Sequence, residues 1–265
     1  MKIAIIGVGN LGYSIAVGIL GNKKEVKCQA LYLSKRDTSS IKHLDQASVV
    51  KITSDNKRAV KYSDVVIIAV LPSQLKNVLK EIKEEIKPGK HTIISAVTGR
   101  KIVEIENIIG DDIAIIRAMP NTAISVSESM TCLSGNMKVK DDMIGAKTIF
   151  NALGQTLCIE EKDMQAATVI CASGIAFWMR LIRATTQGAV QLGFHSKEAQ
   201  QLSMQTCLGA AKLLIDSQNH PEQEIDKVTT PSGCTIEGLN EMEHNGLSSS
   251  LIQGLVASFE KINEI

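Results

Sequence analysis

Lys2-Ile3-Ala4-Ile5-Ile6-Gly7-Val8-Gly9-Asn10-Leu11-Gly12 is the stretch that decides the fold. An apolar run of strand length, Ile3 to Ile6, enters a Gly-x-Gly-x-x-Gly turn, and the apolar segment Tyr13–Leu20 then reads as a helix. In that context, strand before and helix after, each glycine has a separate task. Gly7 permits the tight turn, Gly9 lets the backbone approach a pyrophosphate, and Gly12 lets helix and strand pack closely. The N-terminus of the helix, where Asn10 and Leu11 lie, supplies free N–H groups and a partial positive charge to phosphates. A glycine-rich turn without a ligand is the plainer alternative. The strand and helix on either side favour a dinucleotide.

The next strand ends Leu31-Tyr32-Leu33-Ser34-Lys35-Arg36. A site for NAD usually carries a carboxylate here to accept hydrogen bonds from the ribose 2′-hydroxyl. A hydroxyl followed by two cations suits a 2′-phosphate instead. NADPH is therefore the expected cofactor, with NADH kept as an alternative in which Lys35 and Arg36 are only loop charges. The apolar run Val65–Val70 leads into Leu71-Pro72, and Thr92–Ser95 leads into Ala96-Val97-Thr98-Gly99. The loops after such strands, Ala69, Val70, Leu71, Pro72 and Ala96 among them, should lie along the cofactor.

Further outward, short β-branched runs recur at Ala30–Leu33, Ile113–Arg117 and Thr156–Ile159. Leu75, Val78, Leu79, Ile82 and Ile86 repeat at helical spacing until Pro88-Gly89. The Lys/Glu run from Lys76 to Lys90 reads as the solvated face of that helix. Strands alternating with helices predict parallel βαβ units, and so a doubly wound, mostly parallel α/β sheet of the Rossmann type over residues 1–160. After Glu161 the strand signals stop. Met164–Leu192 is apolar and rich in small residues. Ser196 reads as the N-cap of a helix to about Asp216, and a last helix follows Gly246. Helices this apolar cannot stand alone in water. Residues 161–265 are therefore expected to form an all-α domain that dimerises.

Composition narrows the function. Of the 265 residues 44% are hydrophobic, 22% charged and only 3% aromatic, and the net charge is +1. Neither a global field for a polyanion nor aromatic platforms for single-stranded nucleic acid are expected. The longest uninterrupted apolar stretch, Val65 to Leu71, is strand-sized, so no membrane span is expected. The first residues are too short for a signal peptide and lack a cleavage site. Six scattered cysteines without a Cys-x-x-Cys pair suit reduced thiols in a cytosol rather than a disulfide framework or a zinc site. Five of them read as small buried hydrophobes. The histidines at 43, 91, 195, 220 and 244 read as surface residues, with no spacing for a metal or a triad.

Several local patterns together resemble the pyrroline-5-carboxylate reductase family. They are the N-terminal glycine motif, Ala69-Val70-Leu71-Pro72, Arg117-Ala118-Met119-Pro120-Asn121-Thr122 and Ala172-Ser173-Gly174-Ile175-Ala176-Phe177. The most specific is Val228-Thr229-Thr230-Pro231-Ser232-Gly233-Cys234-Thr235-Ile236-Glu237-Gly238-Leu239. The resemblance spans essentially the whole chain. It implies a Rossmann domain followed by a helical domain that interlocks with a second subunit, as a homodimer or larger homo-oligomer. It implies hydride transfer from the nicotinamide to the C=N carbon of a cyclic imino acid, giving proline. Carried over, the backbone N–H groups near Ser232, Gly233 and Cys234 would take the substrate carboxylate. Thr235 would bond the ring nitrogen and Asn56 would contact the adenosine.

That assignment is physically consistent. A helix beginning near Ser232 is an anion site without a basic side chain. A protonated imine is already electrophilic, so positioning dominates. A short hydroxyl can serve imine and amine alike. The plainer alternative for the loop is a helix-capping turn. The chain departs from the family at Leu71 (a lysine there), Ile175 and Ala123 (prolines), and Ser232 (the loop's first glycine). Those departures keep two other readings open: a paralogous imine or keto-acid reductase with a changed substrate, or a non-catalytic NADP-binding regulatory protein. For Cys234, a lowered thiol pKa at the helix N-terminus, and with it proneness to oxidation, is a hypothesis that selective labelling of Cys234 ahead of the other five cysteines would support and uniform labelling would sink.

Overall fold

The computed structural model describes residues 1–139 and 142–264. It contains eight strands: β1 (Lys2–Ile6), β2 (Ala30–Ser34), β3 (Val50–Thr53), β4 (Val65–Ile68), β5 (Thr92–Ser95), β6 (Ala114–Met119), β7 (Ser129–Gly135) and β8 (Gly154–Cys158). They form one sheet in the order β3-β2-β1-β4-β5-β6-β7-β8. Every neighbouring pair is parallel except β6 with β7. The order reverses at β1, whose neighbours are β2 and β4, and this is the switch point where α/β sheets bind ligands.

Helices α1 (Asn10–Gly21), α2 (Asn56–Lys61), α3 (Pro72–Ile82), α4 (Ile102–Ile109) and α5 (Asp142–Asn151) cover the sheet. Alternate residues of β1 serve opposite faces, as the pleat requires. Ile3 and Ile5 join a core with Ile15, Ile19, Ile149 and Phe150. Ala4 and Ile6 join another with Leu75, Leu79, Ile102 and Ile105. Both faces are buried, which is why the parallel strands read as continuous apolar runs.

The sequence reading missed β3 and β7. β3 is only four residues long, with an exposed Lys51 inside it. β7 (SMTCLSG) is polar in composition yet mostly buried. Its Ser129 hydroxyl is satisfied by the backbone N–H of Asn121 at 3.1 Å, so a polar strand can stand inside. Two side-chain expectations are also overturned. His91 is buried, because its Nδ1 accepts from the Lys87 N–H at 2.9 Å in the turn after α3, and burial lowers its pKa first of all. Cys158 is exposed, because it is the last residue of the edge strand β8.

The later helices are α6 (Met164–Ala167), α7 (Gly174–Gln191), α8 (Ser196–Ser217), α9 (Pro221–Lys227), α10 (Cys234–His244) and α11 (Leu247–Asn263). A π-helical turn, Thr168–Ser173, joins α6 to α7. By contacts the chain divides into two compact units, residues 1–173 with 259–265, and residues 174–258. Helix α8 begins one residue earlier than expected: Ser196 is its first residue, His195 is the N-cap, and no side chain caps that end.

Helical residues run without a break from Glu161 to Gln191, long and apolar enough by length and composition to cross a membrane. The sequence reading missed this because it counted uninterrupted apolar residues, whereas scattered Ser, Thr, Gly and Gln leave such a helix apolar on average. In the second unit the buried positions among the described residues are Gly174, Thr186, Ala199 and Ser203, all small. Trp178, Met179, Leu202, Leu208, Leu213 and Ile252 are exposed.

Candidate active site

A cavity of about 740 Å³ opens at the carboxyl ends of β1, β2, β4 and β5. Gly7, Gly9, Asn10 and Leu11 line it from the turn between β1 and α1. Ser34, Lys35 and Arg36 line it from the end of β2, and Asn56 from the start of α2. Ala69, Val70, Leu71 and Pro72 reach it from the β4–α3 connection, and Ala96 from the end of β5. Segments as far apart in sequence as Gly7 and Ala96 thus share one wall, as the strand order dictates.

Gly12 is the one glycine of the motif that does not line the cavity, and its role is packing. A Cβ there would collide with the Gly7 carbonyl oxygen. Gly7 has φ +92°, and a Cβ on it would fall 2.5 Å from a Val70 methyl. Gly9 differs, because an added Cβ would meet nothing within 4 Å. It faces open space at the N-terminus of α1, where no side chain caps the first turn and no acidic residue stands. The uncapped N–H groups and the bare backbone fit a pyrophosphate.

At the β2 end, Ser34 Oγ donates to Asn56 Oδ1 at 2.7 Å, and Asn56 Nδ2 donates to Glu81 at 2.9 Å. Lys35 Nζ donates to Ser40 Oγ at 2.7 Å. Asp37 lines the cavity as well, a residue the sequence reading did not single out. It is the one carboxylate among the described lining residues, and it accepts from the Ser39 N–H at 2.9 Å. Hydrogen bonds from Ser39 hold its pKa below the usual value. That carboxylate is engaged in its own turn, three residues beyond the end of β2. Gln74, Val78 and Thr98 also line the cavity. Gln74 stands there because its side chain accepts from the Leu71 N–H at the start of α3, a pairing visible in sequence only as Leu-Pro-x-Gln.

The Arg117–Thr122 segment ties the sheet together. Arg117 is 2% exposed and pairs with Glu161 at 3.1 Å. The same Glu161 oxygen accepts from the Ile102 N–H at 2.7 Å, capping α4. Asn121 accepts from the Ala123 N–H and donates from Nδ2 to the Cys171 carbonyl at 2.8 Å.

The second candidate site is the turn before α10. The Gly233 N–H donates to the Thr230 carbonyl at 2.9 Å, closing Thr230-Pro231-Ser232-Gly233. Ser232 has φ +58°. Proline at the second position and a positive φ at the third are the marks of a type II turn, which favours glycine at that third position. Gly233 is the N-cap, and the helix starts at Cys234, two residues later than expected, because Pro231 and Ser232 are spent in the turn. No side chain caps this helix, so its first N–H groups, those of Cys234 and Thr235 included, are available to an anion. A Cβ on Gly233 would strike the Thr230 hydroxyl. Among the described residues no cluster of His, Cys, Asp or Glu could hold a metal ion.

Residues 161–265 match the family model described as pyrroline-5-carboxylate reductase dimerisation. Residues 2–99 match one described as NADP oxidoreductase coenzyme F420-dependent. Pyrroline-5-carboxylate reductase 2 of Dictyostelium discoideum is 41% identical over 98% of this chain and 91% of its own. Reductase 1 of the same organism is 44% identical over 98% of this chain, which spans about half (49%) of that relative's length. Among solved structures, the Plasmodium falciparum pyrroline carboxylate reductase with NADP bound matches with a TM-score of 0.90 at 25% identity, covering 100% of this chain and 97% of that one. The Coxiella burnetii pyrroline-5-carboxylate reductase gives 0.88 at 30% identity, covering 99% and 97%.

Proposed function

The chain belongs to the pyrroline-5-carboxylate reductase family, and from that premise we propose that it reduces 1-pyrroline-5-carboxylate to L-proline with NADPH, the last step of proline biosynthesis. The observation that carries the reading is the uncapped turn Thr230–Thr235, which offers backbone N–H groups and a hydroxyl without any basic side chain. The first N–H groups of α10 hold the substrate carboxylate by hydrogen bonds and the helix dipole. The Thr235 hydroxyl holds the ring nitrogen as donor or acceptor. Because the imine is protonated, no strong general acid is required and orientation carries the rate.

NADPH supplies the hydride that reaches the C=N carbon. Gly7, Gly9, Asn10 and Leu11 hold its pyrophosphate, and Gly12 keeps α1 close enough for that. Ser34, Lys35 and Arg36 receive the 2′-phosphate, a reading supported by the engagement of Asp37 with Ser39. Asn56 contacts the adenosine. Ala69, Val70, Leu71, Pro72 and Ala96 flank the cofactor toward its reactive end. The functional division follows the chain, residues 1–160 for the cofactor and 161–265 for substrate and association. The exposed apolar faces of the second unit are covered by a second copy, in a homodimer or larger ring. The enzyme acts in the cytoplasm.

NADPH oxidation followed by absorbance, on adding pyrroline-5-carboxylate to the purified protein, tests this, with NADH and Thr235→Ala alongside. Loss of a hydrogen bond to a charged group is worth about 1.5–3 kcal/mol. Thr235→Ala should therefore lower kcat/KM roughly ten- to hundredfold, with NADPH binding intact. Intact NADPH binding without turnover by the unmutated protein rejects the reading.

A further inference from the structure

Cys132 and Cys171 lie 39 residues apart in sequence, but their sulfurs stand 3.9 Å from each other. Both belong to the first compact unit. Cys132 is on β7 opposite Met119 of β6, and packs in a small core with Met119 and Met164. Cys171 sits in the π-helical turn Thr168–Ser173, its carbonyl held by Asn121 at 2.8 Å. The two sulfurs differ in access. Cys132 is 2% exposed, whereas Cys171 is partly open. Nothing in the reductase chemistry uses either one.

We propose that Cys132 and Cys171 form a redox-active dithiol, in which Cys171 is oxidised by a hydroperoxide and Cys132 resolves it to an intrachain disulfide. The Cys171 thiolate sulfur attacks the terminal peroxide oxygen, and the O–O bond breaks. The departing alkoxide or hydroxide takes a proton, leaving Cys171 as a sulfenic acid. The Cys132 sulfur then attacks the Cys171 sulfur, the S–O bond breaks, and the hydroxyl leaves as water with the Cys132 proton. Two thiols are oxidised, and one peroxide is reduced to an alcohol (or water) and water.

The geometry favours these roles. Of the two, Cys171 is the one open to a small oxidant, and Cys132 stands close enough to resolve it. The hydrogen bond from Cys132 lowers the Cys171 pKa, against the effect of burial, while the same bond and then burial raise that of Cys132. The thiolate, the reactive form, therefore resides on the accessible partner. Bond formation must bring the sulfurs from 3.9 Å to about 2.05 Å. A π-turn carries an extra residue per turn relative to the α-helix and can yield that distance by tightening. The disulfide would fasten the segment leading into α7 to the sheet.

The test uses the whole reduced protein, desalted and given one equivalent of hydrogen peroxide. Remaining thiols are alkylated under denaturing conditions, and the unreduced digest is read by mass spectrometry. Two of the six thiols should be lost, in a cross-linked peptide holding Cys132 and Cys171 that disappears with dithiothreitol. Exposed Cys158 and Cys234 serve as internal controls. Full alkylation of Cys132 and Cys171 while the controls take up oxygen overturns the proposal. In Cys132→Ser, dimedone should capture a sulfenic acid on Cys171, and in Cys171→Ser the thiol of Cys132 should stay unoxidised. Oxidation of Cys132 at an undiminished rate without Cys171 would overturn the assigned roles.

Discussion

Ser232 shows how much a single residue can carry. Its φ of +58° puts a side chain in the left-handed region, where a non-glycine residue costs about 1–2 kcal/mol. The family's glycine at this position has a backbone reason, visible only once the turn is closed by Gly233 and Thr230. Ser232→Gly removes that strain but restores about 0.5–1 kcal/mol of unfolded-chain entropy. The net expectation is stabilisation by roughly 0.5–1 kcal/mol, read as a rise in the denaturant midpoint with an unchanged slope. A fall in the midpoint would mean that the serine hydroxyl makes a compensating bond. Gly233 is the opposite case, since the collision with Thr230 leaves no room for a side chain. Neither requirement could be read from Thr-Pro-Ser-Gly alone, which states that a turn occurs but not which residue takes the positive φ.

At the scale of the element, Glu161 joins three pieces of secondary structure. It neutralises buried Arg117 on β6, caps the first N–H of α4, and opens the helical run toward α6. Arg117 Nε and Nη2 make no hydrogen bond with other described residues, so Glu161 is the charge that compensates this guanidinium. Breaking a buried ion pair costs about 3–5 kcal/mol. Here the Glu161 side chain is 33% exposed, which lowers the expected cost. Glu161→Ala should therefore destabilise by about 2–3 kcal/mol, and Glu161→Gln by less, because an acceptor for Ile102 remains. Equal losses in equilibrium unfolding would show that the charge is immaterial. β7 belongs to this scale too. It escaped the pattern reading because its buried face is polar, and its inclusion depends on partners such as Asn121 from a neighbouring loop.

The whole molecule poses the problem of its second unit. Between residues 174 and 258 only four small residues are buried, while Leu208 is 52% and Ile252 59% exposed. Full burial of one such side chain is worth about 1.5–3 kcal/mol, so an assembly that covers several of them gains substantially. Sedimentation of the purified chain should find a dimer or larger species at micromolar concentration. Ile252→Glu should shift it toward monomer and lower thermal stability. A monomeric parent protein with unchanged stability would refute the covered face.

By itself, the sequence determined the Rossmann sheet, the glycine turn after its first strand and the helical second half. Periodicity and glycine spacing act locally, and a parallel strand buried on both faces announces itself residue by residue. The motif around Ser232 was legible because a turn is a local event. The tertiary structure alone decided which distant segments share the wall of the cavity, that Asp37 is engaged with Ser39, that His91 is buried and that Cys158 is not. It also brought Cys132 against Cys171. Asp37 and His91 bond near neighbours, Ser39 and Lys87, in turns that the residue types alone do not specify, whereas the shared wall and the Cys132–Cys171 pair depend on strand order and on partners far away in the chain. Contacts of that kind are created when the sheet assembles, which is why composition pointed to unpaired thiols while the fold set two of them side by side.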